Sequence, residues 1–224
     1  MTSRRYGGAT ADQRRAGRRA ALLDAALDLL GTGGLQAATL RAVCARAGLN
    51  PRYFYESFTD LDALLTEVYD RIAAETADAA SRSVAEAGPD ADLRATVRAA
   101  ALAVLDIGRV DPRKARVALI EASASPVLRA RRHATRRHYV DLVIGYARTF
   151  YDIPPSADAQ LQFTATMLVA GWSENLIAWL EGDLRTTASG LADMFADAAQ
   201  ALAASHTGSS EHAPKECRGF HAGR

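Results

Sequence analysis

TLRAVCARAGLNPRYFYESF, Thr39–Phe58, sets two short helix signatures on either side of one glycine. Thr39 can cap a helix start, because its hydroxyl accepts one of the backbone N–H groups left without a partner in a first turn. Leu40, Val43, Cys44 and Ala47 then recur at spacings of three and four. One face is therefore apolar, and a helix over Leu40–Ala47 is predicted. Gly48 ends it, since a tight turn between helices calls for a residue that tolerates positive φ. Leu49 plugs the turn. Pro51, favoured at a first helical position, opens a second run to Phe58, with Phe54 and Phe58 four apart on its buried side. Two helices about a glycine turn make a helix-turn-helix.

The same periodicity and punctuation predict helices throughout the chain. Ala, Arg and Leu dominate, all good helix formers, while no Asn-Gly hairpin turn occurs and β-branched residues are scattered. A first helix runs from Ala11 or Arg14 to Leu30, on Leu23, Ala26, Leu27 and Leu30, and stops at Gly31, Gly33 and Gly34. Thr59-Asp60-Leu61-Asp62 has capping-box spacing with Asp for the preferred Glu. It should open a long fourth helix through Leu64, Leu65, Val68, Ile72 and Val84, ending before Gly88-Pro89. A fifth helix is expected over Ala91–Ile107, and a sixth from Asp111-Pro112 to near Ser123. The seventh opens at Ser125-Pro126, with Tyr139, Leu142, Val143, Tyr146 and Phe150 on one stripe. Pro154-Pro155 breaks the chain before an eighth helix, Ser156–Leu180, and Gly182 separates it from a ninth, Thr187–Ala204. The fold class is thus all-α, with about nine helices: an N-terminal three-helix bundle holding the helix-turn-helix, and a larger C-terminal helical domain. The expected division is 1–59, 60–204, and a polar, unpatterned tail over 205–224 that reads as disordered.

Net charge is +1, but its distribution is uneven. Residues 1–60 hold nine Arg against five acids, and Arg4, Arg5, Arg14, Arg15, Arg18 and Arg19 lie within the first nineteen positions. Such an arm suits a polyanion, and it equally suits a solvated tail. The basic start has no apolar stretch after it, so it is not a secretory signal, and no apolar run is long enough to span a membrane. A cytoplasmic protein is expected. Cys44 and Cys217 lie far apart with no Cys/His pattern, so neither a zinc site nor any other metal or cofactor is expected. Cys44 falls among apolar positions, where a reduced thiol acts as a small hydrophobe; Cys217 reads as an exposed thiol. An all-α enzyme of the carboxylate di-metal type needs paired Glu-x-x-His motifs, which are absent, as are phosphate-loop and Gly-x-Ser-x-Gly patterns. The chain is read as a non-enzyme.

A helix entering the major groove presents its early residues to base edges. Here those are Asn50, Pro51, Arg52 and Tyr53. Arg52 can bond bidentately to guanine, Asn50 can read adenine or hold a phosphate, and Tyr55 offers a hydroxyl or a ring. The N–H groups at the helix start capped by Thr39 suit a phosphate oxygen. Many α-hairpins with a glycine turn bind nothing, however, and Tyr53, Phe54 and Tyr55 could all be core. Composition and spacing leave both readings open.

The segment Arg18–Tyr69, RRAALLDAALDLLGTGGLQAATLRAVCARAGLNPRYFYESFTDLDALLTEVY, resembles the DNA-binding region of TetR-family (tetracycline-repressor-like) regulators. The resemblance rests on the Ala/Leu helix ending at Gly31, the Gly34 turn, Thr39-Leu40-Arg41, Ala47-Gly48-Leu49, the Tyr55-x-x-Phe58 pair and Leu64-Leu65. It implies DNA contacts from Arg18, Thr39, Arg41, Asn50, Pro51, Arg52, Tyr53, Tyr55 and Ser57. Three positions depart from the family pattern. Leu61 stands where a phosphate-holding Lys is frequent, Ser57 where His is frequent, and Pro51 is unusual at its place; Glu56 nearby repels phosphate. The implied function is a dimeric repressor that leaves a palindromic double-stranded operator when a small molecule binds. An architectural DNA binder without a ligand is the alternative, and an all-α enzyme a remote one.

The eighth helix is apolar nearly all round, as a helix buried on two sides must be. Gly171, Asn175, Ala178 and Gly182 fall on a face of small or short residues; Leu168, Trp172, Leu176 and Trp179 are bulkier and lie on the other. The first face, with Leu191, Met194, Phe195, Ala198 and Leu202 of the ninth helix, is assigned to a two-fold homodimer contact, with ordinary core packing as the alternative. The family resemblance also implies an effector pocket, for which Tyr69, Leu102, Tyr139, Tyr146, Phe163, Met167 and Trp172 are the candidates, so a mostly apolar effector is expected. Glu174 and Asn175 are read either as interface hydrogen-bonding groups or as ligand anchors. The run Arg129, Arg131, Arg132, His133, Arg136, Arg137, His138 is a solvated face or the seat of an anionic partner.

Overall fold

The computed structural model describes residues 10–88, 90–151 and 153–207. Among them the regular structure is helical: α1 (Ala11–Gly33), α2 (Leu40–Ala47), α3 (Pro51–Tyr55), α4 (Leu61–Ala87), α5 (Leu93–Val110), α6 (Pro112–Leu119), α7 (Pro126–Phe150), α8 (Asp158–Glu181) and α9 (Ala188–Thr207). Short 3-10 turns at Leu35–Ala37, Glu121–Ser123 and Pro155–Ala157 join some of them. The all-α expectation holds. No described helix is long and apolar enough to cross a membrane. Expectations for Arg4, Arg5, Cys217 and residues from Gly208 on fall outside the described residues.

The chain forms two compact units. One comprises residues up to Glu75 together with Ile107–Arg132; the other comprises Thr76–Asp106 and the residues from His133 on. The first is larger than the expected 1–59 head, for a physical reason. Three helices, two of them short, bury little surface by themselves, and here Leu22, Leu30, Val43, Phe54, Leu64 and Leu65 share one core with Val117, Ala122 and Leu128. The approach of α6 to α1 is close. A Cβ on Gly31 would collide with the Cβ of Arg113.

Local signals set most helix ends. Thr10 and Gln13 form a reciprocal capping box on α1, Thr39 Oγ1 accepts from Ala42 N at 3.2 Å, and Gly48 takes φ 66°. Boundaries differ from the sequence reading at several helices: α1 runs through Gly31 to Gly33, α5 covers Leu93–Val110 rather than Ala91–Ile107, and α6 ends at Leu119 rather than near Ser123. The fourth helix is capped by Asp60, whose Oδ1 accepts from Ala63 N at 2.8 Å, rather than by Thr59, because the helix starts one residue later. α3 stops at Tyr55, and Ser57 N turns inward to Phe54 O at 2.9 Å, tightening the last turn. α9 runs on to Thr207, past the expected Ala204 and into the stretch read as tail.

In the second unit, Val140 of α7 packs with Ala165 and Val169 of α8. The buried residue on this part of α7 is thus Val140, while Tyr139, Leu142, Val143, Tyr146 and Phe150 are half-buried. Trp172 and Phe195 stack 4.5 Å apart between α8 and α9. Trp179 Nε1 donates to Thr186 O at 2.9 Å, and Arg94 and Arg98 of α5 pair with Asp193 and Asp197 of α9.

Candidate nucleic-acid interface

Phe54 is fully buried and anchors α3 on the core, with Phe58 behind it, ring centroids 5.8 Å apart. Its helical neighbours therefore point outward. Tyr55 is 62 % exposed, Tyr53 is 38 % exposed, and Pro51 and Arg52 are exposed as well. Of the two readings of Tyr53, Phe54 and Tyr55, the core reading applies to Phe54 alone. Asn50 is the N-cap: its Oδ1 accepts from Arg52 N at 3.0 Å. That bond occupies the amide oxygen and leaves the amide N–H₂ as its donor to a base or phosphate.

Thr39 and Arg41 are exposed at the start of α2, and Ser57 is half-buried after α3. Arg18 is half-buried on α1, with its guanidinium 4.5 Å over the Tyr53 ring. Cys44 is buried on the inner side of α2, and burial pushes its thiol pKa up. It is a packing residue.

Sequence reasoning missed how the arginines of α1 are held. Arg15 Nη2 donates to Glu56 O at 2.9 Å, and Arg18 Nη2 to Glu56 Oε2 at 3.2 Å. Arg19 lies against Glu67, with its guanidinium over the Phe58 ring. Residues 38 to 48 positions apart give no local signal. The Arg52–Glu56 pair at 3.5 Å was readable as an i, i+4 spacing.

The candidates outside this surface divide sharply. Leu191 is only 2 % exposed within a single chain, so its assignment to a partner contact is corrected: it is interior, alongside Ala192, Ala196 and Ala199. Apolar residues lie on every side of α9, so periodicity could not select its inner face. Met194, Ala198 and Asn175 are exposed, while Gly171, Ala178, Phe195 and Leu202 are half-buried. Among the pocket candidates Tyr69 is buried, and Leu102, Tyr139, Tyr146 and Trp172 are half-buried. Phe163 and Met167 are 62 % and 44 % exposed one turn apart on α8. Asn175 Nδ2 donates to Gly171 O at 2.8 Å. The basic run of α7 is mostly exposed, with Arg131 paired to Asp70.

Residues 22–68 match the family model described as bacterial regulatory proteins, tetR family. No curated protein matches the chain. Among solved structures, a putative transcriptional regulator from Pseudomonas aeruginosa PAO1 is similar at TM-score 0.68 and 18 % identity, covering 90 % of this chain and 95 % of that one. A TetR-like transcriptional regulator from Rhodococcus sp. RHA1 is similar at TM-score 0.63 and 17 % identity, covering 82 % and 93 %. A third, the multidrug binding protein EbrR complexed with imidazole, gives TM-score 0.61 and 20 % identity, covering 81 % and 94 %. At these identities the likeness is one of fold.

Proposed function

We propose that this chain, whose residues 22–68 match the tetR-family model, is a DNA-binding regulator of that family: a dimeric repressor released from a palindromic operator by a mostly apolar small molecule. The observation that carries the reading is the outward row on α3. Arg52, Tyr53 and Tyr55 are exposed around a fully buried Phe54, directly after a left-handed glycine turn. Arg52 supplies a bidentate donor pair for guanine O6 and N7. Asn50 and the N–H groups opening α2 hold the backbone and fix register.

Dimerisation follows from the target. Two reading helices meet one face of B-DNA only when held about 34–36 Å apart. The exposed apolar residues of α8 and α9, Phe163, Met167 and Met194, support a self-association surface there. Phe163 and Met167 are thereby moved from pocket lining to interface. Half-buried Tyr139, Tyr146 and Trp172 support an apolar effector site. Release requires the effector to favour the form that does not bind DNA, and the affinity lost is bounded by that preference.

Anisotropy titrations of the full chain over a salt series test the DNA reading. Arg52→Ala should cost about 1–3 kcal/mol and relax preference at one position of each half-site. Removing residues 1–15 should weaken all sequences alike and flatten the salt slope by about 0.9 per lost phosphate contact. An unchanged operator preference in Arg52→Ala would mean that α3 is not the reading helix. Ligands found by thermal shift should bind less tightly when operator is present; equal affinity would favour the architectural alternative.

A further inference from the structure

Three arginines converge on one acidic residue at the surface assigned to DNA. Glu56 Oε1 lies 3.5 Å from Arg52 Nε and Oε2 lies 3.2 Å from Arg18 Nη2, while the backbone oxygen accepts from Arg15 Nη2 at 2.9 Å. The two carboxylate pairs differ in kind. Arg18 is half-buried and stacked on Tyr53, so its pair is a strut from α1 to α3. The Arg52 side chain is 84 % exposed, so its pair is a solvated i, i+4 contact that leaves the rest of the guanidinium open.

A carboxylate in this position needs a reason, because the phosphate backbone repels it wherever the protein sits on DNA. We propose that Glu56 is a specificity-determining residue: it holds Arg52 by the Nε edge and penalises binding that offers Arg52 no guanine. With Nε engaged, the two Nη groups remain as the fork for guanine O6 and N7. On the operator, that bidentate bond offsets the repulsion. On any other duplex the repulsion stands, and Arg52 stays on Glu56 instead of reaching for a phosphate. Discrimination thus comes from an unfavourable element as well as a favourable one.

The inference rests on α3 being the base-contacting helix. Its test uses the full chain, a duplex selected by the wild type from a randomised pool, and a scrambled duplex, with affinities read over a salt series. Glu56→Gln, which keeps the shape and removes the charge, should raise affinity for the scrambled duplex on the order of fivefold near 0.15 M salt. It should also steepen its salt slope by about 0.9, one added phosphate contact. The selected duplex should gain less, so the ratio between the two falls. In an Arg52→Ala background the same change should leave base preference unaltered. An unchanged ratio in Glu56→Gln would overturn the proposal. So would a loss shared equally by both duplexes and persisting in the Arg52→Ala background, since Glu56 would then be a strut alone. A wild type that binds no duplex would overturn the DNA reading itself, and the inference with it.

Discussion

Glu121 Oε2 accepts the backbone N–H of Leu35 at 3.0 Å, joining positions 86 apart in sequence. The carboxylate is buried beside Gly34, and its other oxygen takes Arg116 Nη2 at 3.0 Å. Leu35 opens the 3-10 turn that leads into α2, so this acid satisfies an otherwise unpartnered donor at the entry to the helix-turn-helix. Glu121→Ala removes a charged acceptor from a half-buried amide and should cost about 1.5–3 kcal/mol. Glu121→Gln keeps an acceptor oxygen and should cost less. Urea unfolding of both variants checks the order, and an Ala variant no weaker than Gln would refute it.

Two glycines of the same unit should fail for opposite reasons. Gly48 has φ 66° with open space where a Cβ would go, so Gly48→Ala costs the left-handed backbone alone, about 1–2 kcal/mol. Gly48→Asn should recover part of it, because Asn visits that region more readily. Gly31 lies inside α1, where Ala is ordinarily the better residue by about 1 kcal/mol. Its Cβ would meet Arg113, so Gly31→Ala should destabilise despite the helix propensity. Melting temperatures of the three variants decide this, and a stabilised Gly31→Ala would show that α6 yields freely.

These residues also mark where the sequence was legible. Thr39, Gly48 and Pro51 act within four residues of themselves, and each does in the structure what its backbone chemistry requires. The buried side of α3 followed from Phe54 and Phe58 for the same reason. Glu121–Leu35 and Arg18–Glu56 depend on chain segments far apart, and nothing local encodes them. The inner face of α9 failed differently. Its Ala-rich pattern admits several faces, and the structure turns Leu191, Ala192, Ala196 and Ala199 inward.

Acid should loosen the first unit through two carboxylates. Glu67 is held below the usual carboxylate range by its hydrogen bond from Arg19, with Arg71 adding to the effect. Asp111 is held down likewise by Arg113, whose Nε and Nη2 reach its two oxygens at 2.8 Å each. A folded pKa below the unfolded value, about 4, gives stability that is present above that pH and is lost as pH falls through the folded value. Glu67→Gln should therefore be less stable than wild type at neutral pH, with the gap closing below about pH 4. Thermal melts over that range check it, and a gap independent of pH would place the effect in packing.

The proposed dimer makes a sharper demand, because two neighbouring residues of α9 should respond in different ways to the same change. Met194 is 47 % exposed in a single chain and Leu191 is interior. A charge at an exposed position costs little, whereas a charge placed among apolar side chains without a partner is expensive. Leu191→Asp should thus unfold the protomer and says nothing about association. Met194→Asp should leave the melting of an isolated chain nearly unchanged while placing two unpaired carboxylates near a two-fold contact. Sedimentation should then show monomers with native helix content. Operator affinity should fall steeply, because a single half-site binds weakly once the partner is gone. A Met194→Asp protein that remains dimeric with full operator affinity would move the interface off this face of α9. Phe163→Asp on α8 would be the next position to try.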